Sequence, residues 1–343
     1  MSTKGNVLKA LEENKGITVS GEELASRLSI SRAAIWKAIQ ELRKEGYRID
    51  AITNKGYCLS QGSDVLSVEG ILPHVKERFM ADRIHVFKSL ESTNLTAKKM
   101  ALDGASPGTV VIAEEQTKGR GRMGRSFYSP PAGGIYMSFI LEPRFDTSKS
   151  VLITTAASVA VCKAIEKVTG ISCRIKWVND VYMGEKKICG ILTEAVTDFE
   201  SGHIDYIVLG IGINYSTART AFPEELTGIA GSLFEEEPGS SPLSDDSVSR
   251  NRLIAEVINQ VLEINEDLES RKFIDDYKSR SFVLGKEILI ITTAGSEKER
   301  NLTGGIPATA VDIDGDGGLV VQYRDGSIRT LNSGEISIRA VTK

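Results

Sequence analysis

Residues 173–183, CRIKWVNDVYM, residues 186–196, KKICGILTEAV, and residues 206–216, YIVLGIGINYS, follow one another along the chain with no helical pattern between them. Three consecutive apolar stretches without an intervening helix make a meander, so the sheet they build is antiparallel or mixed. Outward toward the N-terminus, GIYMSFIL (134–141), TVVIAEE (109–115) and IHVF (84–87) add strands, and a helix from about Thr93 to Leu102 lies between the last two. An Ala-rich helix from Ser150 to Val168 precedes the meander. Beyond the meander, EEEPGSSPLSDDS (235–247) is polar and breaker-rich and reads as a surface loop. Leu253, Ile254, Val257, Ile258, Val261 and Leu262 then fall on one face of a long amphipathic helix. From about Leu284 to the end, short strands alternate with glycine turns, notably Asp314-Gly315-Asp316-Gly317-Gly318, which suggests a small β-barrel. The fold class is α+β with a central mixed sheet.

The first sixty residues form a module of their own. Val7, Leu8 and Leu11 mark one face of a first helix. Ser20 caps a second, with Glu23 placed to complete a capping box and Leu24, Ala25 and Leu28 on the buried side. Ser31 caps a third, in which Ile35, Ile39 and Leu42 recur at helical spacing before Gly46 ends it. YRIDAITNKGYCLS (47–60) alternates and turns at Asn54-Lys55-Gly56, as a hairpin does. Three helices followed by a hairpin is the winged helix-turn-helix plan. The third helix carries Ser31, Arg32, Trp36, Lys37 and Gln40 outward or partly outward, and Arg43, Lys44, Arg48 and Lys55 add positive charge nearby. Such a helix enters a major groove with basic side chains on phosphates and polar ones at base edges. A winged helix used only for packing or as a lid is the plainer alternative.

The composition bounds the rest. The 343 residues suffice for two or three domains, and 41% hydrophobic with 26% charged residues is ordinary for a globular protein. A net charge of -4 means that any nucleic-acid contact rests on a local patch. Cys58, Cys162, Cys173 and Cys189 show no C-x-x-C pair, and His74, His85 and His203 are scattered, so a zinc site is not expected. The N-terminus lacks an apolar signal core and no apolar run is long enough for a bilayer, which points to a cytoplasmic protein without membrane contact.

Four stretches carry chemistry. Gly119-Arg120-Gly121-Arg122-Met123-Gly124-Arg125 alternates glycine with arginine between two strands. Its glycines let a ligand approach the main chain, and its arginines offer donor forks suited to phosphate and carboxylate. Such a segment is expected to be mobile when empty and to order around an anion; a solvated charged loop is the alternative. No G-x-x-x-x-G-K-[ST] occurs, which excludes a nucleotide P-loop. Glu91-Ser92-Thr93-Asn94 opens a helix, where its side chains can cap or can bond a polar heterocycle. Lys176-Trp177-Val178-Asn179-Asp180, followed by Lys186-Lys187-Ile188-Cys189-Gly190, can hold a metal and a polyphosphate, or can be a hairpin with charged cross-strand pairs. Gly210-Ile211-Gly212-Ile213-Asn214 alternates glycine within a strand, which marks close approach by a ligand or another backbone.

In this order and spacing the four stretches resemble the biotin protein ligase family, and the winged helix in front makes the resemblance one to the bifunctional type, biotin ligase and biotin operon repressor. The resemblance covers essentially the whole chain and implies three domains: a DNA-binding winged helix at 1–62, a catalytic domain at 63–283, and an SH3-like small β-barrel at 284–343. It implies that Ser92, Thr93, Asn94 and Gln116 bind biotin, with Arg120, Gly121, Arg122 and Lys187. Arg120 and Arg122 match the arginines that meet the biotin carboxyl and the phosphate, and Lys187 the lysine on the biotinyl and phosphate oxygens. Arg120, Arg122, Lys176 and Lys187 are thus the implied catalytic set. Arg122, Phe127, Lys176, Asn179 and Asn214 fall on the ATP and adenylate region, and Asp180 on that of Mg²⁺. Ser31, Arg32, Lys37, Gln40 and Lys55 are the implied DNA contacts. Two departures stand out: Val178 replaces a frequent Pro, and Phe127 replaces a Trp that in some members stacks on adenine. Arg339, in GEISIR (334–339), is a further residue that can reach toward the nucleotide.

The implied activity is ATP-dependent formation of biotinyl-5′-AMP and transfer of biotin to a lysine of a biotin carboxyl carrier protein, of acetyl-CoA carboxylase or a related carboxylase. The implied partners also include operator DNA and a second copy of the chain when adenylate is bound. A lipoate-type acyl ligase and a ligand-sensing repressor without ligase activity are the two alternatives.

Overall fold

The computed structural model describes residues 2–53, 55–76, 81–142, 150–197, 204–234, 248–291, 305–332 and 337–340. By packing, the chain divides into two units, residues 1–82 with 240–259, and residues 83–239 with 260–343. Residues 63–82, expected with the catalytic domain, therefore pack in the first unit, and the C-terminal strands share the second with the central sheet.

In the first unit, α1 (Thr3–Glu12), α2 (Gly21–Leu28) and α3 (Arg32–Lys44) precede the hairpin of β1 (Ile49–Ile52) and β2 (Gly56–Leu59). The expected caps form: Ser20 Oγ accepts from Glu23 N at 2.9 Å, and Ser31 Oγ accepts from Ala34 N at 3.2 Å. Val7, Leu11, Leu24, Ile35, Ile39 and Leu42 close into one core. Arg43, expected to add to the local positive charge, is half-buried and also structural: Nε and Nη2 donate to the Ile49 carbonyl at 2.8 and 2.6 Å, fastening α3 to the hairpin. Asn54, at the hairpin turn, lies outside the described residues, as does the loop at 235–247. A short helix α4 (Val68–Ile71) follows.

The second unit opens with β3 (Ile84–Leu90), α5 (Thr93–Leu102), β4 (Val110–Gln116) and β5 (Gly134–Leu141). After α6 (Ser150–Thr169) come β6 (Arg174–Lys176), β7 (Asp180–Met183), β8 (Lys186–Thr197) and β9 (Ile204–Asn214). They form one sheet in the order β3-β4-β5-β9-β8-β7-β6. Only the β3–β4 pair is parallel; the other pairs are antiparallel, so the sheet is mixed and its second half is the expected meander. The first stretch of the meander is two strands rather than one, with the Trp177–Val178 peptide cis between them. Every residue of β5 is buried, which suits a strand near the middle of the sheet. The long helix α7 (Arg250–Glu266) begins in the first unit, and α8 (Phe273–Arg280) lies in the second.

The C-terminal segment forms β10 (Glu287–Ile291), β11 (Ile306–Ile313), β12 (Leu319–Tyr323), β13 (Ile328–Leu331) and β14 (Ser337–Ala340). The small barrel expected here is seen as an antiparallel sheet in the order β13-β12-β11-β10-β14. Arg339 pairs through its backbone with Leu289; its side chain lies outside the described residues. Among the described residues no helix is long and apolar enough to cross a membrane.

Glu12 sets a pH dependence in the first unit. Its Oε1 is buried without a hydrogen-bond partner, while Oε2 faces Lys15 Nζ at 3.5 Å. Burial raises its pKa, Lys15 opposes this, and Asp64 and Glu69 add to it. A raised carboxyl contributes stability fully below the ordinary glutamate value, and that contribution is lost as pH rises through the folded-state value. Denaturant unfolding at pH 5 and pH 8 is expected to show the wild type losing stability on the order of 1 kcal/mol across this window. Glu12→Gln is expected to flatten that dependence.

Candidate active site

A cleft of about 1060 Å³ opens over the middle of the mixed sheet. At one end lie uncharged polar groups. Ser92 caps α5, accepting from Leu95 N at 3.5 Å, and Ser92, Thr93 and Asn94 are all at most 4% exposed. Gln116, at the end of β4, takes Thr93 N (2.8 Å) and Thr93 Oγ1 (3.0 Å) on its Oε1. Its Nε2 donates to Ser129 Oγ at 2.9 Å. Ser138 Oγ stands 2.8 Å from Thr93 Oγ1 and 2.6 Å from Asn94 Oδ1, and its single hydrogen serves one of them at a time.

At the other end the cleft is cationic. Arg122 Nη1 donates to Asn179 Oδ1 at 2.9 Å, and Asn179 Nδ2 donates to the Ile191 carbonyl at 2.8 Å. Burial lowers the pKa of Arg122, while Asp180 works against that shift. Lys187 Nζ pairs with Asp180 Oδ1 at 2.6 Å. Lys176 lines the same end and sits opposite Asp180 in the β6–β7 ladder.

The glycine-arginine stretch folds back on itself between the two ends. Gly121 N donates to Arg125 O at 2.7 Å, Phe127 N to Gly119 O at 2.9 Å, and Arg120 bridges to Ser126. Met123 and Gly124 have φ of 60° and 75°, the left-handed region that a glycine enters freely and a methionine does not. Arg120 is exposed and Arg122 half-buried, so the two arginines face different surroundings.

The glycines of β9 are read differently from expectation. Both Gly210 and Gly212 line the cleft, and the protein atoms that approach them belong to side chains rather than to another backbone. A Cβ on Gly210 would overlap Asn94 Oδ1, and one on Gly212 would run into the ring of Phe127. Phe127 lies with its ring against Gly190 and Gly212, edge-on to Tyr136 at 6.4 Å. Asn214 is buried, and its Nδ2 donates to Gly231 O at 3.0 Å.

The structure thus brings together every residue expected at the cleft: Ser92, Thr93, Asn94, Gln116, Arg120, Gly121, Arg122, Phe127, Lys176, Asn179, Asp180, Lys187 and Asn214 all line it. Of the expected DNA contacts, Ser31, Arg32, Lys37 and Lys55 are exposed and Gln40 is half-buried, on α3 and the hairpin of the other unit. Trp36, on the same helix, is 58% exposed.

Sequence reasoning missed Ser129, Ser138, Lys98 and Glu194. Ser138 had a signal: it is the one polar side chain in GIYMSFIL. Also missed was the segment from Phe222 to Ala230, which walls the cleft and is tied to β8 by Lys187 N→Ile229 O (2.9 Å) and Gly231 N→Lys187 O (3.0 Å).

Three families match the chain in succession. The "HTH domain" family matches residues 4–58, the "Biotin/lipoate A/B protein ligase family" residues 86–214, and the "Biotin protein ligase C terminal domain" residues 300–339. The bifunctional ligase/repressor BirA of Bacillus subtilis is 35% identical over 323 residues, which is 93% of this chain and 94% of that protein. The chain belongs to the biotin protein ligase family. BirA of Escherichia coli is 29% identical, over 94% of each chain. The biotin protein ligase of Aquifex aeolicus, solved with biotin and ATP, superposes with a TM-score of 0.59 at 28% identity, covering 75% of this chain and 99% of that one. Within the biotin protein ligase family this chain has the bifunctional layout, an HTH domain followed by ligase and C-terminal domains.

Gly210→Ala tests the packing of the polar end. The added methyl must displace Asn94, and overpacking of this kind costs about 1–3 kcal/mol. Urea unfolding of the variant is expected to show that loss.

Proposed function

We propose that this chain activates biotin with ATP and transfers it to a lysine of a biotin carboxyl carrier protein. The observation that carries this reading is that one cleft holds a neutral, hydrogen-bonding end and a cationic end, as a ligand with a polar ring and a phosphate requires. Ser92, Thr93, Asn94 and Gln116 hold the biotin ring. Arg120 and Arg122 lie along its carboxylate and the α-phosphate, and Lys187 reaches the biotinyl and phosphate oxygens. Lys176, Asn179, Asn214 and Phe127 hold the nucleotide.

In the first step a biotin carboxylate oxygen attacks the α-phosphorus of ATP, and the bond to the β-phosphate breaks with release of pyrophosphate. No protein nucleophile is needed; the work is charge neutralisation and alignment. Arg122 is oriented by the neutral Asn179 rather than by a carboxylate. Lys187 exchanges Asp180 for the oxygens of the reacting group. Mg²⁺ enters with ATP as part of the substrate and offsets polyphosphate charge. Among the described residues no group of three or more His, Cys, Asp or Glu gathers into a metal cage. Mg²⁺ on a nucleotide needs only one or two carboxylates besides phosphate and water, and Asp180 fits that role. In the second step the carrier's lysine amine attacks the acyl carbon and AMP leaves. The loop at 119–127 shields the mixed anhydride from water until then.

We assign DNA binding to the segment 1–62, ligation to 63–283 and a supporting role to 284–343. Arg32, Lys37 and Lys55 meet phosphates, while Ser31 and Gln40 face the bases of an operator. Two-fold operators need two recognition helices, so biotinyl-5′-AMP acts as corepressor by favouring a homodimer. A cytoplasmic setting fits this pairing of DNA and carrier.

Incubation of the protein with biotin, MgATP and a carrier domain is expected to add one biotinyl mass to the carrier, with lipoate in place of biotin giving none. Lys187→Ala is expected to slow adenylation about 10²-fold. A Lys187→Ala protein with wild-type rates would overturn the assignment. In operator binding, Arg32→Ala or Lys37→Ala is expected to lower the slope of log K against log salt by about 1, since each phosphate contact releases about one counterion.

A further inference from the structure

The reaction as derived leaves one partly buried carboxylate of the polar end without a part. Glu194, on β8, accepts from Asn94 Nδ2 on Oε2 at 2.7 Å and from Lys98 Nζ on Oε1 at 2.6 Å. Burial would raise its pKa, but the bonds from Lys98 and Asn94 and the nearby charge of Arg120 outweigh this and hold it below the usual glutamate value. It is therefore an ionised, acceptor-only group at neutral pH.

That property orders the hydrogens around it. Asn94 must turn its Nδ2 to Glu194, which leaves its Oδ1 facing Ser138 Oγ at 2.6 Å. The far end of the same network is closed by another acceptor-only group. The Phe127 carbonyl takes the Ser129 hydroxyl at 3.0 Å, so Ser129 accepts from Gln116 Nε2, and Gln116 Oε1 is left to accept from Thr93. An amide flip at Asn94 would set its oxygen against the carboxylate, and one at Gln116 would set N–H against N–H. With the Thr93 hydroxyl hydrogen given to Gln116 Oε1, and the two Asn94 Nδ2 hydrogens to Glu194 and to the Leu192 carbonyl at 3.5 Å, what Thr93 Oγ1 and Asn94 Oδ1 can still offer a ligand is lone pairs. Gly210 keeps the space beside Asn94 Oδ1 clear.

We propose that Glu194, held by Lys98, is a positioning residue that fixes the donor and acceptor polarity of this network and so selects a ring bearing N–H donors. The inference rests on biotin, whose cyclic urea carries two such N–H groups, being the acid activated here. Glu194 acts through Asn94 and is not itself a catalytic residue.

The test is steady-state adenylation by the full chain, with biotin and with a biotin analogue methylated at one ring nitrogen. Glu194→Gln is expected to raise KM for biotin about tenfold, the effect of losing one charge-assisted bond. The values of kcat and KM for ATP are expected to stay at wild type, and the preference for biotin over the methylated analogue to shrink. Lys98→Met, which leaves the carboxylate in place but loosens it, is expected to shift KM for biotin the same way by about threefold. Unchanged KM for biotin in both variants would overturn the proposal. So would a fall in kcat with both KM values rising together and a lowered melting temperature, since that is what a purely structural role gives. Wild-type protein inert toward biotin would instead sink the biotin reading itself.

Discussion

The register between β8 and β9 is the constraint on which the cleft depends. It pairs Gly190 with Gly212 and Leu192 with Gly210, while β5 sets Ser138 against Gly210 and Tyr136 against Gly212. Three glycines thereby come together at the centre of a seven-stranded sheet. Their missing side chains leave a floor on which Asn94 and the Phe127 ring rest. Side chains alternate faces along a strand, so a slip of one residue would put isoleucines where the glycines lie and fill the cleft. Burial on this sheet resists such a slip: Ile191, Ile211 and Ile213 are all nearly inaccessible.

On that floor the two ends of the cleft solve opposite problems. The polar end must bury hydrogen-bonding groups, and it does so by satisfying them within the protein, through Ser138, Gln116, Ser129 and the carboxylate of Glu194. The cationic end must gather positive charge in a partly enclosed space, which costs desolvation. Two of its cations, Lys187 and Arg122, meet that cost with different partners. Lys187 has the carboxylate of Asp180, an ion pair that a phosphate can replace. Arg122 has the neutral Asn179, whose own amide is anchored to the Ile191 carbonyl on β8. An arginine held by a neutral group keeps its field directed into the cleft, which is the preorganised arrangement that stabilises charge developing during a reaction.

Much of this was legible in the sequence, and the parts that were not share a cause. Periodicity and caps gave the three N-terminal helices and the helix at Thr93–Leu102, because those signals are local. The meander was legible because its stretches are long and apolar. Residue chemistry pointed to Arg122, Lys187 and Asn179 for the same reason: several unusual groups lie close in sequence. Glu194 and Lys98 were not legible, since a glutamate on a strand and a lysine on a helix look like solvent-facing residues until the fold sets them 2.6 Å apart. The wall from Phe222 to Ala230 has neither periodicity nor a motif, and its place comes from backbone bonds to β8, from Lys186 Nζ on the Gly228 carbonyl and from Phe222 against Tyr128, none of which is local in sequence. The glycines of β9 were noticed for the right reason, close approach, but a sequence does not say that the approaching atoms belong to Asn94 and Phe127.

The C-terminal sheet illustrates how far a local motif depends on distant chain. The segment from Lys176 to Asp180 faces the cleft, yet its back is held by three other elements. Trp177 Nε1 donates to the Gly317 carbonyl in the turn between β11 and β12 at 2.9 Å. Tyr277 of α8 donates to the Val178 carbonyl at 3.2 Å, and Ser158 Oγ of α6 stands 3.4 Å from the same oxygen. The turn is itself braced: Asp314 Oδ1 accepts from Asp316 N and Gly318 N, and Arg271 pairs with Asp316 at 2.7 Å. Gly317 has φ of 86°, and a Cβ there would stand 2.8 Å from Thr155 Oγ1, so this turn needs glycine both for its backbone and for its seat on α6. A strand joint gripped from behind in this way cannot drift when the charges in front of it change. That accounts for why these C-terminal strands pack in one unit with the mixed sheet rather than standing apart from it.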